Sequence, residues 1–283
     1  MASEMTGRVC VVTGATRGIG RATAEGLARL GASVVMLCRK REDGEKVSRE
    51  IAADAGMIPD VVPADLSSQT SIRQAALYLR DRYPRLHVLI NNAGVIPRQR
   101  EVTVDGLELQ FAVNHLAYFL LTDLLLPQLE AGAPSRIINV SSGAHTHAAI
   151  DFNDLQADRG YESKQVYSRS KLANILFTYE LSRRLRGTGV TANCLNPGVV
   201  ATGMLADYIG ISAIGAPLAR TFGAIPEEGA ETSIYLASSP DVESVTGKYF
   251  ERKQPRISSR ASYDEAAARR LWEVSERLTG ISS

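Results

Sequence analysis

The sequence predicts an α/β chain built on a doubly wound, mostly seven-stranded parallel sheet flanked by helices, and three observations lead there. Short Val/Ile-rich runs alternate with longer amphipathic segments from the start of the chain. A glycine-rich turn joins the first such run to the first helix. The chain has 283 residues, 45% apolar and 22% charged, which is enough for one large core.

The first run, Arg8-Val-Cys-Val-Val-Thr13, is β-branched and apolar, as a strand buried on both faces must be, and a helix begins at about residue 18. A second strand over 32–38 feeds a helix from about 42, a third over 57–63 feeds a helix over 68–83, and a fourth spans 86–91. Parallel neighbours need long crossovers, so this repeated strand-helix-strand order implies a parallel sheet covered on both sides. A long helix around 105–130, the strand Arg136-Ile-Ile-Asn-Val140, a long helix around 165–186 and the strand Val190-Thr-Ala-Asn-Cys194 continue it. A strand near Gly247-Lys-Tyr-Phe250 closes the sheet, and 261–279 reads as a surface helix with Leu271, Trp272 and Leu278 available for packing. Two stretches interrupt the alternation: the polar 144–164, and 199–225, which carries Met204, Leu205, Ile209, Ile211, Ile214, Leu218 and Phe222. Irregular stretches of this length are often lids, so 199–225 is expected to close over a hydrophobic substrate; packing into the core or a subunit contact is the competing reading. With no linker or repeat, the chain is expected to form a single domain.

Lys+Arg 32 against Asp+Glu 31 leaves a net charge of +1, so no global field favours nucleic acid or an acidic membrane. Three cysteines, Cys10, Cys38 and Cys194, sit in or beside apolar β-rich runs and read as buried thiols of a reducing compartment. Met1 to Gly7 is polar and gives no signal peptide, and the apolar run Phe119 to Leu129 is interrupted by Asp123 and Pro127, so a cytoplasmic protein without a membrane span is expected.

In Thr13-Gly14-Ala15-Thr16-Arg17-Gly18-Ile19-Gly20, the glycines stand where a strand must turn sharply to expose a helix N-terminus, whose N–H groups and dipole suit a pyrophosphate. The G-x-x-x-G-x-G spacing after a first strand is a variant of the dinucleotide fingerprint of Rossmann-type domains, although glycines needed only for packing give the same string. The second strand ends in Arg39-Lys40 instead of an acidic residue. With Arg17 these can hold a ribose 2′-phosphate, favouring NADP(H) over NAD(H); a solvated charged turn is the alternative. Tyr167-Ser-Arg-Ser-Lys171 places a phenol and an ammonium on one helix face, and a neighbouring cation favours phenolate. Such a pair alone is common on helix surfaces.

Taken together, the glycine turn, Asn91-Asn-Ala-Gly94, Asn139-Val-Ser-Ser142, Tyr167 to Lys171 and Asn196-Pro-Gly198 resemble the short-chain dehydrogenase/reductase family over about residues 7–250. The resemblance implies that Ser142 hydrogen-bonds the substrate oxygen, Tyr167 exchanges the proton, and Lys171 lowers the Tyr pKa and holds the nicotinamide ribose. It further implies that Asn114 supports a proton relay through water. Gly14, Thr16, Arg17, Gly18, Ile19 and Gly20 would hold the pyrophosphate, Arg39 and Lys40 the 2′-phosphate, and Asp65 and Leu66 the adenine. Asn92, Ala93 and Gly94 would follow the cofactor backbone, and Pro197, Gly198, Val200 and Thr202 would meet the carboxamide. Asp65 can equally be an N-cap, Asn92 a turn residue and Pro197-Gly198 a simple loop.

Val113-Asn-His-Leu, Asn139-Val-Ser-Ser-Gly-Ala-His145 and Ser170-Lys-Leu-Ala-Asn-Ile-Leu-Phe177 resemble its retinol-dehydrogenase-like branch, as do the 25 positions between Ser142 and Tyr167. The expected activity is NADP(H)-dependent interconversion of an aldehyde or ketone and an alcohol on a hydrophobic substrate. Reduction of an activated C=C bond, sugar-nucleotide epimerisation and a non-catalytic NADP(H) sensor are the alternatives. The resemblance implies a homodimer or homotetramer formed through the two long helices. His145 and His147 lack further ligands, so no metal site is expected.

Overall fold

A computed structural model describes residues 4–200 and 225–281. Strands β1 (Val9–Thr13), β2 (Ser33–Cys38), β3 (Asp60–Pro63), β4 (Val88–Asn91), β5 (Ser135–Val140), β6 (Val190–Asn196), β7 (Tyr249–Glu251) and β8 (Gln254–Arg256) form one eight-stranded sheet in the order β3-β2-β1-β4-β5-β6-β7-β8. The first seven are parallel. The reversal of order between β1 and β4 opens a crevice at their C-terminal ends. The eighth strand departs from the seven expected: β8 returns antiparallel to β7 through the turn Arg252-Lys253. Both turn residues have positive φ, 50° and 62°, where hairpins usually carry Gly or Asn, so the turn has no readable signature. Pro255 and the flanking charges blunt this outer edge against further pairing.

Alternation along each strand explains the two helical layers. Cys10 and Val12 point to one face with Met36, Ile90, Ile138 and Leu195, where α1 (Gly18–Arg29), α2 (Arg41–Ala55) and α6 (Pro226–Ser238) cover them. Val11 points to the other with Val35, Leu37, Leu89 and Ile137, under α3 (Gln69–Arg82), α4 (Leu109–Ala131) and α5 (Ser163–Arg184). Burial pushes the Cys10 and Cys194 thiols up to about 12, so both behave as small core hydrophobes. Beneath the crevice runs a buried amide ladder. Asn91 Nδ2 donates to Thr122 Oγ1 at 3.0 Å and to Asn139 Oδ1 at 2.9 Å, and Asn139 Nδ2 donates to Thr178 Oγ1 at 2.9 Å.

The C-terminal helix, α7 (Glu265–Thr279), is more than a surface helix. Asp264 caps it through the Ala267 N–H, and it forms a third layer on the outward side of α4 and α5. The Trp272 ring packs 4.9 Å from Phe119 and 5.8 Å from Phe177, and Ser275 Oγ lies 2.9 Å from His115 Nε2. Gln69 Nε2 on α3 donates to Leu278 O, tying down the far end. By length and composition α4 could cross a membrane, but 78% of its apolar window is buried inside this fold. Most of the expected lid, 201–224, and Thr202 with it, lies outside the described residues.

Candidate active site

The cofactor end of the crevice is built by Thr13. Its hydroxyl accepts the N–H groups of Asn92 at 2.8 Å and Ala93 at 3.0 Å, while Asn92 Nδ2 donates to Thr13 O at 2.8 Å, locking the ends of β1 and β4 together. Gly14 has φ 66° and a Cβ there would sit 3.0 Å from Ala93 Cα; a Cβ on Gly20 would overlap Gly14 O and Asn92 Nδ2. Gly18, at φ 53°, opens α1, whose N-cap residue Arg17 provides no side-chain acceptor. First-turn N–H groups thus face the crevice beside Thr16 and Ile19, a cradle that fits the pyrophosphate of a dinucleotide.

Arg39 and Lys40 follow β2 on the same cleft and are exposed, as is Arg17. None of the three forms an ion pair among the described residues. Asp65 Oδ1 accepts from Ser67 N at 3.0 Å and Ser67 Oγ at 2.7 Å, which shapes the turn presenting Leu66; the N-cap of α3 is Ser68. Asn92, Ala93, Gly94, Pro197, Gly198 and Val200 line the same space, a cleft of about 1570 Å³. That exceeds the roughly 300–1,000 Å³ usual for one small ligand and suits a cofactor together with a substrate.

At the other end of the cleft, Glu162 caps α5 by accepting from Lys164 N and Gln165 N, and one turn in, Tyr167 and Lys171 share a face. Lys171 is 2% exposed; its Nζ donates to Val140 O at 3.0 Å and stands 5.6 Å from the Tyr167 ring centre. Burial without a carboxylate lowers its pKa to about 7. Ser142 Oγ accepts from Ala144 N at 3.2 Å, and its own proton has no acceptor among the described residues. Val95, Leu109 and Val113 form an apolar wall of the same cleft.

Asn114 sits behind the part of the cleft wall formed by Val95. Its side chain is fully buried: Oδ1 accepts from Val95 N at 2.8 Å, and Nδ2 donates to Val95 O at 3.0 Å and Ser170 Oγ at 3.0 Å. It clamps the segment after β4 to the helix carrying Tyr167, from within a π turn, Ala112–Leu116, that interrupts α4. Sequence reasoning also missed His145. Its Nε2 accepts from Ser259 N at 3.1 Å, which leaves Nδ1 to donate to Ser142 O at 2.7 Å; burial lowers its pKa, so it stays neutral and steadies Ser142. The partner at Ser259 is 114 positions away, out of reach of any local motif. Glu251, Arg252 and Lys253 of the β7–β8 hairpin also border the cleft, and no sequence signal marked them.

A glycine cradle at the crevice of a doubly wound sheet, with Tyr and Lys one turn apart beside a Ser at a strand end, defines an oxidoreductase of the alcohol/carbonyl type. The chain belongs to the short-chain dehydrogenase family, whose model matches residues 8–209. It is 47% identical to mouse retinol dehydrogenase 14, over 98% of this chain and 87% of the relative, and 44% identical to human retinol dehydrogenase 13, over 99% and 87%. Among solved structures, an uncharacterized protein from Mycobacterium paratuberculosis superposes with a TM-score of 0.79 at 36% identity, covering 97% of this chain and 94% of that one. The Pseudomonas aeruginosa RhlG/NADP active-site complex gives 0.72 at 28% identity, covering 93% and 99%.

Proposed function

We propose that this protein interconverts an aldehyde or ketone and the corresponding alcohol on a hydrophobic substrate, using NADP(H) in preference to NAD(H), with Tyr167 as the general acid and base. The observation that carries this is the shared cleft: Ser142, Tyr167 and Lys171 line the same space as the glycine cradle with Arg17, Arg39 and Lys40. When bound, the nicotinamide supplies or accepts the hydride. Ser142 donates its free hydroxyl proton to the substrate oxygen. In reduction Tyr167 gives the same oxygen its phenolic proton; in oxidation it takes that proton back, and the Lys171 ammonium favours the phenolate this requires. The apolar wall of Val95, Leu109 and Val113, together with the names of the relatives, makes retinoid-like alcohols and aldehydes the first substrates to try. An oligomer formed through the two long helices, as the resemblance implies, would have to accommodate α7, whose Trp272 packs on Phe119 of α4 and Phe177 of α5. The buried free thiols fit the cytoplasmic location expected from the sequence.

The test is a panel of aldehydes, ketones and alcohols assayed in parallel with NADPH/NADP⁺ and NADH/NAD⁺. Tyr167→Phe is expected to lower turnover by about 10²–10⁴-fold with NADPH binding intact; near-parental turnover would remove Tyr167 from the role. Arg39→Asp is expected to weaken NADPH about 10–100-fold, the worth of a charge-assisted hydrogen bond, and NADH little. Equal loss for both cofactors would show that Arg39 does not read the 2′-phosphate.

A further inference from the structure

Tyr118 on α4 belongs to no motif in the sequence and packs behind the site, against Ala93 and Lys171. It is 1% exposed, its hydroxyl donates to Ala93 O at 2.8 Å, and the Lys171 ammonium lies 5.8 Å from its ring centre. Tyr118 follows Asn114 by four positions, so the two present to one side of the helix. Ala93 and Val95, two apart on the segment after β4, both meet it through backbone polar groups. Asn114 holds Val95 and Tyr118 holds Ala93, so the segment after β4 hangs on α4 by two side chains.

The second contact concerns charge. Lys171 Nζ has one carbonyl partner, Val140 O, and two aromatic faces, Tyr167 from its own helix at 5.6 Å and Tyr118 from the facing helix at 5.8 Å. Those two phenols are the titratable groups beside it, and among the described residues no carboxylate pairs with it. For a desolvated ammonium, an aromatic face within about 6 Å is a substantial part of what keeps it charged.

We propose that Tyr118 is a positioning residue for the reaction: its ring holds the Lys171 ammonium against Tyr167, and its hydroxyl holds the Ala93 carbonyl that shapes the cofactor-binding edge. This rests on the reading of Tyr167 and Lys171 as the acid–base pair. The two functions separate by substitution. Tyr118→Phe keeps the ring and loses the hydroxyl; Tyr118→Leu loses both.

The experiment measures NADPH binding by nucleotide fluorescence without turnover, alongside the pH profile of kcat/KM for alcohol oxidation. Tyr118→Phe is expected to weaken NADPH about 3–10-fold, the worth of one neutral hydrogen bond, and to leave the acid limb of the profile in place. In Tyr118→Leu the ammonium loses a face, Lys171 gives up its proton at lower pH, and the phenolate loses support. The acid limb then moves upward by about one pH unit. Parental NADPH affinity in Tyr118→Phe, or an unmoved acid limb in a folded Tyr118→Leu, overturns the proposal. Should Tyr118→Leu fail to fold by its melting curve, the binding result for Tyr118→Phe decides. Tyr167→Phe is run beside them. If it retains turnover the acid–base reading fails; if it is inactive while the Tyr118 variants behave as the parent, only the role of Tyr118 fails.

Discussion

Burying an ammonium without a counter-ion costs folding free energy, and Lys171 is such a group. Its pKa falls from the ordinary 10.5 to about 7, so between those values the unfolded chain binds more protons than the native one and parental stability rises with pH. Below about pH 7 the penalty is fully present. Lys171→Met should therefore abolish turnover yet melt higher than the parent in the absence of cofactor. The advantage should be largest at pH 6 and shrink toward pH 10, as followed by thermal denaturation at several pH values. An advantage that did not shrink would mean that Lys171 is not the titrating group. At this scale the sequence was legible where spacing carries chemistry: Tyr167, Lys171 and Ser142 stand where the motifs put them. It was illegible where the partner is distant, as for His145 and Ser259. The contacts of Asn114 to Val95 and Ser170 were not legible either, because a helical position does not tell which way a side chain in a π turn will face.

Strand and helix positions followed from hydrophobic alternation, with ends shifted by a few residues, as hydrogen-bonded boundaries usually are. The long helix expected from about 105 begins at Leu109, because Glu108 caps it by accepting from Gln110 N and Phe111 N and the preceding residues form a bridged turn between Val102 and Glu108. The β1–α1 turn is the element most constrained by space. Gly20→Ala would drive a methyl into Gly14 O and Asn92 Nδ2, both part of the framework that spaces β1 from β4. The expected result is loss of NADPH binding by more than tenfold with destabilisation of about 1–3 kcal/mol, read by nucleotide titration and denaturant unfolding. Parental binding would show that the turn has slack.

Over the whole molecule, α7 adds a layer that composition did not announce. The sequence offered Leu271, Trp272 and Leu278 as apolar, but their seat is assembled from α4 and α5, more than 80 positions away, and only the folded chain shows it. Trp272→Ala removes a half-buried ring resting on Phe119 and Phe177, and should cost about 2 kcal/mol, below the 3–5 of a fully buried aromatic. It should also uncover an apolar strip, so that sedimentation velocity shows more self-association than in the parent. Parental stability and association together would mean that α7 is dispensable.

The ladder of Asn91, Asn139, Thr122 and Thr178 constrains how such a protein can change over evolutionary time. Each of these side chains is buried, and each is a partner of another on a different strand or helix. Replacing one by an apolar residue strands its neighbour's donor or acceptor away from water, at about 1–3 kcal/mol, whereas replacing linked members together can be nearly neutral. The sheet beneath the chemistry therefore resists stepwise drift. The apolar wall of Val95, Leu109 and Val113 carries no such linkage, so substrate preference can diverge by single substitutions while the platform under Tyr167 stays as it is.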